Sequence, residues 1–426
     1  MKKKIVIIGG GFAGVNLAKQ LKNRDGIHVT LVDKNNYNFF PPLLYQVATG
    51  LLDVSSISTP FRTLFKGANN IRFRMGKLQK VEAEHNRVQL STGTLEYDAL
   101  VIATGTKSNY FGMDNIERNA LPMKTIDDAV KMRNYLLQKT EEATYTSDSE
   151  KREKLRNVVI SGAGPTGVEV AGMLAEMRNN MLEKIYPELS GSELNIILVD
   201  AAPTVLPPMR EKSQKYTLKA LEDLGVHVKL EKMVEDYKED TVYFKDGETI
   251  KTETLIWTAG VTARVFEGIP EDSYDRGNRL LVNEFNTVQG TKNIYAIGDT
   301  ALMKTDPNFP EGHPQLANVA MQQGQHLAKN FIAMIEKRER APFNYYDKGS
   351  MAIIGKRKAT ADLTFPNKTF TGWIAWAMWL FIHLFQLINH RNRIKTMWNW
   401  TTAYFTDDQS LGMIVRPSKP DTKETK

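Results

Sequence analysis

One local pattern, written twice, limits what this chain can fold into more than any other feature. Residues 5–8 (IVII) are a short β-branched run with the character of a strand buried on both faces. Gly9-Gly10-Gly11-Phe12-Ala13-Gly14 follows, a G-x-G-x-x-G turn, and Val15, Leu17, Ala18 and Leu21 then fall at helical spacing. The next strand, HVTLVD, ends in Asp33. Glycines at these places let the backbone approach a pyrophosphate. The helix N-terminus stabilises its charge, and the acid accepts a hydrogen bond from a ribose hydroxyl. The pattern returns at residues 158–161, at Gly162-Ala163-Gly164-Pro165-Thr166-Gly167, and in a strand, NIILVD, that ends in Asp200. Here a longer insertion, NNMLEKIYPELSGSE, separates helix from acid. Ala201-Ala202-Pro203-Thr204 behind Asp200 offers no cation for a 2′-phosphate, so this site is expected to prefer NADH over NADPH.

Three further stretches read as strands ending in small residues, where a chain can pass close to a ligand: YDALVIATGT, TLIWTAGV and NIYAIGDTA. The apolar run before the first glycines is too short for the core of a signal peptide. With 426 residues the chain can build two or three domains. It contains no cysteine, which removes disulfide, thiolate, iron–sulfur and cysteine–zinc chemistry together. A net charge of +7 permits an anionic partner without choosing one. We find no metal-binding or nucleic-acid motif, and no repeat beyond the two nucleotide units.

In this order the stretches resemble the flavoproteins with two dinucleotide-binding domains, the class shaped like glutathione reductase. The resemblance implies an α/β fold of two Rossmann-like domains, the first holding FAD and the second NADH. It assigns FAD to Gly9, Gly11, Phe12, Ala13, Gly14, Asp33, Lys34, Gln46, Ala103, Thr104, Gly105, Gly298, Asp299, Leu316 and Ala317. It assigns NADH to Gly162, Gly164, Pro165, Thr166, Gly167, Asp200, Ala259 and Gly260. Without cysteine, the disulfide reductases and sulfide:quinone reductases are poor matches, and electrons must leave the flavin directly.

The stretches YNFFPPLLYQVATGLLDVSSISTPFR, GHPQLANVAMQQGQHLAKN and GSMAIIGKRKATADL narrow the resemblance to the type II NADH:quinone oxidoreductases. That family's A-Q-x-A-x-Q-x-G helix lies against the flavin and lines the quinone site. Here it reads Ala317-Asn318-Val319-Ala320-Met321-Gln322-Gln323-Gly324. Asn318 replaces the first glutamine and is one methylene shorter, so its contact with a quinone carbonyl is expected to be direct or through water. Gln322 matches. Glu169 has two readings: an acid favoured near a helix N-terminus, or, as the family implies, a group beside nicotinamide and flavin that binds NADH or relays protons. His313 and His383 have no visible partner and read as structural.

The C-terminal part differs in kind. Five of the six tryptophans lie between Trp373 and Trp400, and residues 372–388 carry no formal charge. As a helix of ~1.5 Å per residue that stretch spans about 25 Å, short of a hydrocarbon core of ~30 Å. Arg391, Arg393 and Lys395 follow, then MWNWTTAYF. Three readings compete: a transmembrane helix, a buried core or dimer helix, and a monotopic pair lying in the membrane face with the basic cluster on anionic headgroups. The resemblance implies the third, with residues 40–47 and the Gln322 helix lining a quinone tunnel.

The expected organisation is an FAD domain (1–118 and 263–335), an NADH domain (119–262) and a C-terminal amphipathic helical membrane-anchoring region (336–426). Thr146–Arg156 reads as a charged surface connection, and RPSKPDTKETK as a disordered tail. The expected activity is NADH:quinone oxidoreduction without proton pumping, at the cytoplasmic face of the cell membrane, with a homodimer possible. Two rivals stand: an NADH-dependent ferredoxin or rubredoxin reductase, and a membrane-tethered NADH-sensing flavoprotein.

Overall fold

The computed structural model describes residues 2–179, 183–189, 194–406 and 412–414. The expected disordered tail and parts of the NNMLEKIYPELSGSE insertion lie outside the described residues. The chain divides into two units: Met1–Phe39, Ser58–Asn109 and Val261–Lys348 form one, and Phe40–Ile57, Tyr110–Gly260 and Gly349–Lys426 form the other.

The first unit is built on a five-stranded sheet in the order Ile294–Ala296, Ala99–Ile102, Lys3–Ile8, Ile27–Asp33, Ile71–Met75. All neighbours run parallel. Central strands of such a sheet are covered on both faces, which is why Ile5, Ile7, Val29 and Leu31 are all fully buried. The helix Phe12–Gln20 follows the first strand. It packs against Ala317–Ile335 so closely that a Cβ on Gly324 would lie 2.4 Å from the Ala13 carbonyl oxygen. The last glycine of the quinone-family helix is thus required by helix packing.

The second unit repeats the plan: Leu121–Pro122, Thr254–Trp257, Asn157–Ser161, Asn195–Val199, Val226–Lys229, again all parallel. Its turn feeds the helix Pro165–Met177, started by proline in the first turn, where a missing N–H costs nothing. The helix Ile126–Tyr145 opens with a capping box between Thr125 and Asp128. An antiparallel sheet of Ser350–Gly355, Lys358–Leu363 and Lys368–Thr371 lies over the nucleotide helix. A Cβ on Gly172 would sit 1.7 Å from the Ile354 carbonyl oxygen. The helices Trp373–Gln386 and His390–Thr406 complete the unit.

This division differs from the one drawn on sequence. Residues 40–57 leave the first unit, because the helix Leu44–Ala48 buries all its residues in the second. The C-terminal region is not a separate body, because its hairpin shares a core with the nucleotide helix. Residues 146–156 contain a helix, Ser149–Arg156, capped by Asp148, whose carboxylate accepts the Glu150 N–H at 2.9 Å; Leu155 anchors it by burial.

Candidate cofactor and substrate sites

The first glycine turn is held from below by its acid. Gly10 N–H donates to Asp33 Oδ2 at 2.7 Å, and Asn35 N–H donates to Oδ1 at 2.8 Å. Burial pushes the Asp33 carboxyl above its ordinary value, against the pull of those two donors. Gly9 has φ +108°, and a Cβ there would meet the Ala103 carbonyl oxygen at 2.2 Å. Strand end and turn therefore touch backbone to backbone, bringing Ala103, Thr104 and Gly105 beside Gly9. A Cβ on Gly11 would meet nothing within 4 Å, so that side of the turn is open. The Thr104 hydroxyl is buried with no hydrogen-bond partner in the protein. An open turn at a helix start free of first-turn acids, with an orphaned hydroxyl beside it, fits a dinucleotide cofactor.

Gly298, Ala13 and Ala320 meet where the late Gly-Asp approaches the turn: a Cβ on Gly298 would stand 3.1 Å from Ala13 Cβ and 3.4 Å from Ala320 Cβ. Gly298 N–H donates to Gln323 Oε1 at 2.7 Å, and Gln323 is buried. Asp299 accepts the Gln315 amide on its carbonyl at 3.0 Å. Gln323, Gln315 and Asn38, which donates to the Gly10 carbonyl at 2.7 Å, are positioning residues that sequence reasoning missed. Phe12 opens the first helix. Leu316 caps the second, and Ala317 begins it. Lys34 is exposed.

The second turn reproduces the first. Gly162 also has φ +108°, with the Ala259 backbone 2.7 Å from where its Cβ would be. Ala163 N–H donates to Asp200 Oδ2 at 2.5 Å, and Ala202 N–H donates to Oδ1 at 2.7 Å. Gly164 is open like Gly11, and Pro165 and Thr166 are exposed. A Cβ on Gly167 would lie 1.8 Å from the Gly162 carbonyl oxygen. Thr258 donates to the Ser161 carbonyl at 2.8 Å and can share its proton with that of Gly162 at 3.0 Å, fixing the chain just ahead of Ala259 and Gly260.

Also within the second unit is a cavity of ≈ 440 Å³. Tyr45, Gln46, Glu169, Met173 and Ile353 line it, and so do Trp376, Phe381, Met397, Trp400 and Tyr404 from the two C-terminal helices. The lining is apolar except for a few groups, most already engaged. Glu176 accepts the Lys356 N–H. Lys356 Nζ donates to the Tyr404 carbonyl at 2.9 Å and lies over the Tyr404 ring. Gln46, assigned to the flavin by resemblance, is in this wall, with its amide between Tyr45 and Trp400.

Glu169 is the fifth residue of its helix, and no acid stands in the first turn, so the helix-terminus reading fails. The cavity leaves its side chain some free surface, yet protein surrounds it. Burial pushes the carboxyl well above its ordinary 4.5, offset in part by the Ile353 N–H. An unfolded Glu169 titrates near 4.5 and the folded one higher, so this contribution is fully present below 4.5 and is lost as pH rises through the folded pKa. Glu169→Gln, which stays neutral, is therefore expected to lose less stability between about pH 5 and about pH 9 than the parent protein. Thermal melts at the two pH values check this, and equal losses would count against a raised pKa.

Asn318 and Gln322 lie on the Ala317–Ile335 helix of the first unit. Asn318 is half-buried, and its amide has no protein partner among the described residues. Gln322 donates to the Tyr346 carbonyl at 2.9 Å and accepts the Tyr346 N–H at 3.1 Å, so it clamps backbone. Both histidines prove to have partners. His313 is buried against Asp306 at 2.9 Å. His383 stacks on Trp379 at 3.9 Å with Nδ1 on the Trp379 carbonyl, and burial lowers its pKa to about 4.

The two C-terminal helices have two faces. Ala375, Trp379 and Thr396 are buried. Trp373, Ile374, Phe381, Phe385, Ile394, Met397, Trp398 and Phe405 are exposed, at helical spacing. No described helix is long and apolar enough to cross a membrane. Two of the three basic residues are engaged by the protein itself: Arg393 donates to the Leu387 and Phe385 carbonyls at 2.9 and 2.8 Å, and Lys395 to Ser55 at 2.9 Å. Arg391 alone of the three is exposed.

Comparison with known proteins agrees with this geometry. Residues 3–324 match the pyridine nucleotide-disulphide oxidoreductase family, and residues 347–407 match the NDH2 C-terminal domain. The chain is 36% identical over 416 residues to the type II NADH:quinone oxidoreductase NdhA of Mycobacterium tuberculosis, covering 95% of this chain and 87% of that one. It is 30% identical to the type II NADH:quinone oxidoreductase of Haemophilus influenzae, covering 91% of this chain and 94% of that one. The solved structure of NDH2 from Plasmodium falciparum in complex with NADH superposes with a TM-score of 0.88 at 22% identity, covering 95% of this chain and 99% of that chain.

Proposed function

We propose a working cycle for this chain on one premise: it belongs to the type II NADH:quinone oxidoreductases. It oxidises NADH and reduces a quinone without pumping protons. The observation that carries the reading is the apolar cavity, because the helices that wall it turn an apolar aromatic face outward. A quinone is lipid-soluble, so its chamber and the membrane surface are expected on the same elements.

When bound, FAD supplies the redox step, taking a hydride from NADH and giving two electrons to the quinone. The protein's part is positioning. The turns at Gly9–Gly14 and Gly162–Gly167 present backbone N–H groups to the two pyrophosphates, and Asp33 and Asp200 brace those turns while keeping lone pairs for ribose hydroxyls. Glu169, whose carboxyl burial pushes well above its ordinary range, stands in the cavity wall as a group that can carry a proton at a carboxyl oxygen. Asn318 is the group on the quinone-family helix left free to meet a carbonyl. Gln322 keeps one N–H and one lone pair beyond its Tyr346 clamp.

The protein then sits on the membrane surface, at its cytoplasmic face, with Trp373, Phe381, Phe385, Trp398 and Phe405 in the interface. A second copy of the chain is a reasonable partner along the same face. Purified, FAD-loaded protein is expected to oxidise NADH faster when 2-methyl-1,4-naphthoquinone is added. Flavin reduction by NADH with no acceleration by the quinone would overturn the reading in favour of a carrier-protein reductase or a sensor.

A further inference from the structure

Three side chains in the cavity wall form a chain whose donor directions are forced. Trp400 Nε1 stands 2.8 Å from Gln46 Oε1, and Gln46 Nε2 stands 2.8 Å from the Tyr45 hydroxyl. An indole N–H can only donate, so it selects the oxygen end of the Gln46 amide. The NH₂ end is then turned to Tyr45, so the Tyr45 oxygen must accept. The phenol proton is left over, and among the described residues no protein acceptor takes it. Tyr45 is 2% exposed, yet it lines the cavity. Its ring is fixed edge-on to Trp379 at 6.5 Å. A buried, oriented and unspent O–H facing an apolar chamber lacks only an acceptor.

We propose that Tyr45 donates this hydrogen bond to a carbonyl oxygen of the bound quinone, and that Gln46 and Trp400 are positioning residues that aim it. The inference rests on the quinone reading above and adds a specific substrate contact to it. Burial holds the phenol well above its ordinary pKa, so Tyr45 polarises the carbonyl while keeping its proton. Trp400 belongs to the His390–Thr406 helix, whose other face carries exposed Trp398. The same helix that meets lipid therefore sets the direction of the O–H.

The test compares Tyr45→Phe and Trp400→Phe with the parent protein, using two electron acceptors. 2-Methyl-1,4-naphthoquinone has a carbonyl to bond; ferricyanide takes electrons without one. Tyr45→Phe is expected to lower kcat/KM for the naphthoquinone about tenfold, the worth of one lost hydrogen bond, while flavin reduction by NADH and turnover with ferricyanide stay near parental. Trp400→Phe, which frees the Gln46 amide to turn, is expected to lower the same quantity by about threefold, in the same acceptor-selective way. Unchanged naphthoquinone kinetics in both variants would overturn the proposal. So would equal losses with both acceptors, which would mark these residues as structural. Should Tyr45→Phe fail to fold, Trp400→Phe decides alone. A parent protein that reduces ferricyanide but not the naphthoquinone would instead refute the quinone reading itself.

Discussion

Gly167→Ala is expected to yield a protein that keeps its FAD and is reduced only at far higher NADH concentrations. The added methyl would lie 1.8 Å from the Gly162 carbonyl oxygen and 2.9 Å from Thr258 Oγ1. Neither neighbour can yield. The first is backbone in a turn braced by Asp200, and the second is fixed on the Ser161 and Gly162 carbonyls. Relief must come from moving the helix start away from the turn, at a cost on the order of 2–4 kcal/mol. That displaces the N–H groups meant for the pyrophosphate, and half-saturation by NADH should rise about a hundredfold or more. Gly14→Ala makes the corresponding clash in the first unit, 2.0 Å from the Gly9 carbonyl oxygen, and should lose flavin instead. Flavin absorbance and its bleaching by NADH report both outcomes. Parental bleaching in Gly167→Ala would remove the second turn as the NADH site.

Phe381→Asp combined with Trp398→Asp is expected to release the protein from lipid vesicles without unfolding it. These side chains are 63% and 68% exposed, so the fold loses little when they become polar. In an interface each aromatic ring contributes apolar burial, and each carboxylate resists leaving water. At roughly 2 kcal/mol per site, vesicle partitioning should weaken about a thousandfold. Arg391→Ala should have a smaller, salt-dependent effect, near 1 kcal/mol, since one surface cation near anionic headgroups is worth about that much. Co-sedimentation with vesicles containing anionic lipid measures both variants. Unaltered sedimentation of the double variant would show that the exposed face meets something other than lipid.

The turns were legible because their information is local. Gly14 and Gly167 each answer to a carbonyl five residues back, and the spacing to Asp33 is part of one unit. Gln323 was not legible, since it adjoins Gln322 and differs only by a turn of about 100° around the helix. Burial against Gly298, a contact spanning two elements, decides that Gln323 holds the backbone. Tyr45 and Gln46 fall in the stretch read as a tunnel wall, but the tie that orients the Gln46 amide was hidden, as its partner Trp400 lies near the other end of the chain. The basic cluster misled because charge near a membrane-like helix suggests headgroups. Arg393 instead donates to the Phe385 and Leu387 carbonyls at the helix end.

The seat of Ile354 over Gly172 has a consequence for how such a protein can change. Lipid attachment in many proteins is a cassette, a tether that can be exchanged, lost or grafted without harm to the catalytic body. Here the hairpin rests on the helix of a nucleotide turn with no room for a single methyl group, and Lys356 and Arg357 fasten Tyr404 of the last helix to that hairpin. Cutting the chain before the C-terminal helices would strip cover from Ile354 and from the cavity, and would report on stability as much as on lipid. On the lipid-facing reading proposed above, that surface could diversify only by exchanging side chains on its outer face, because its inner face is bound to the helix that follows Gly162–Gly167.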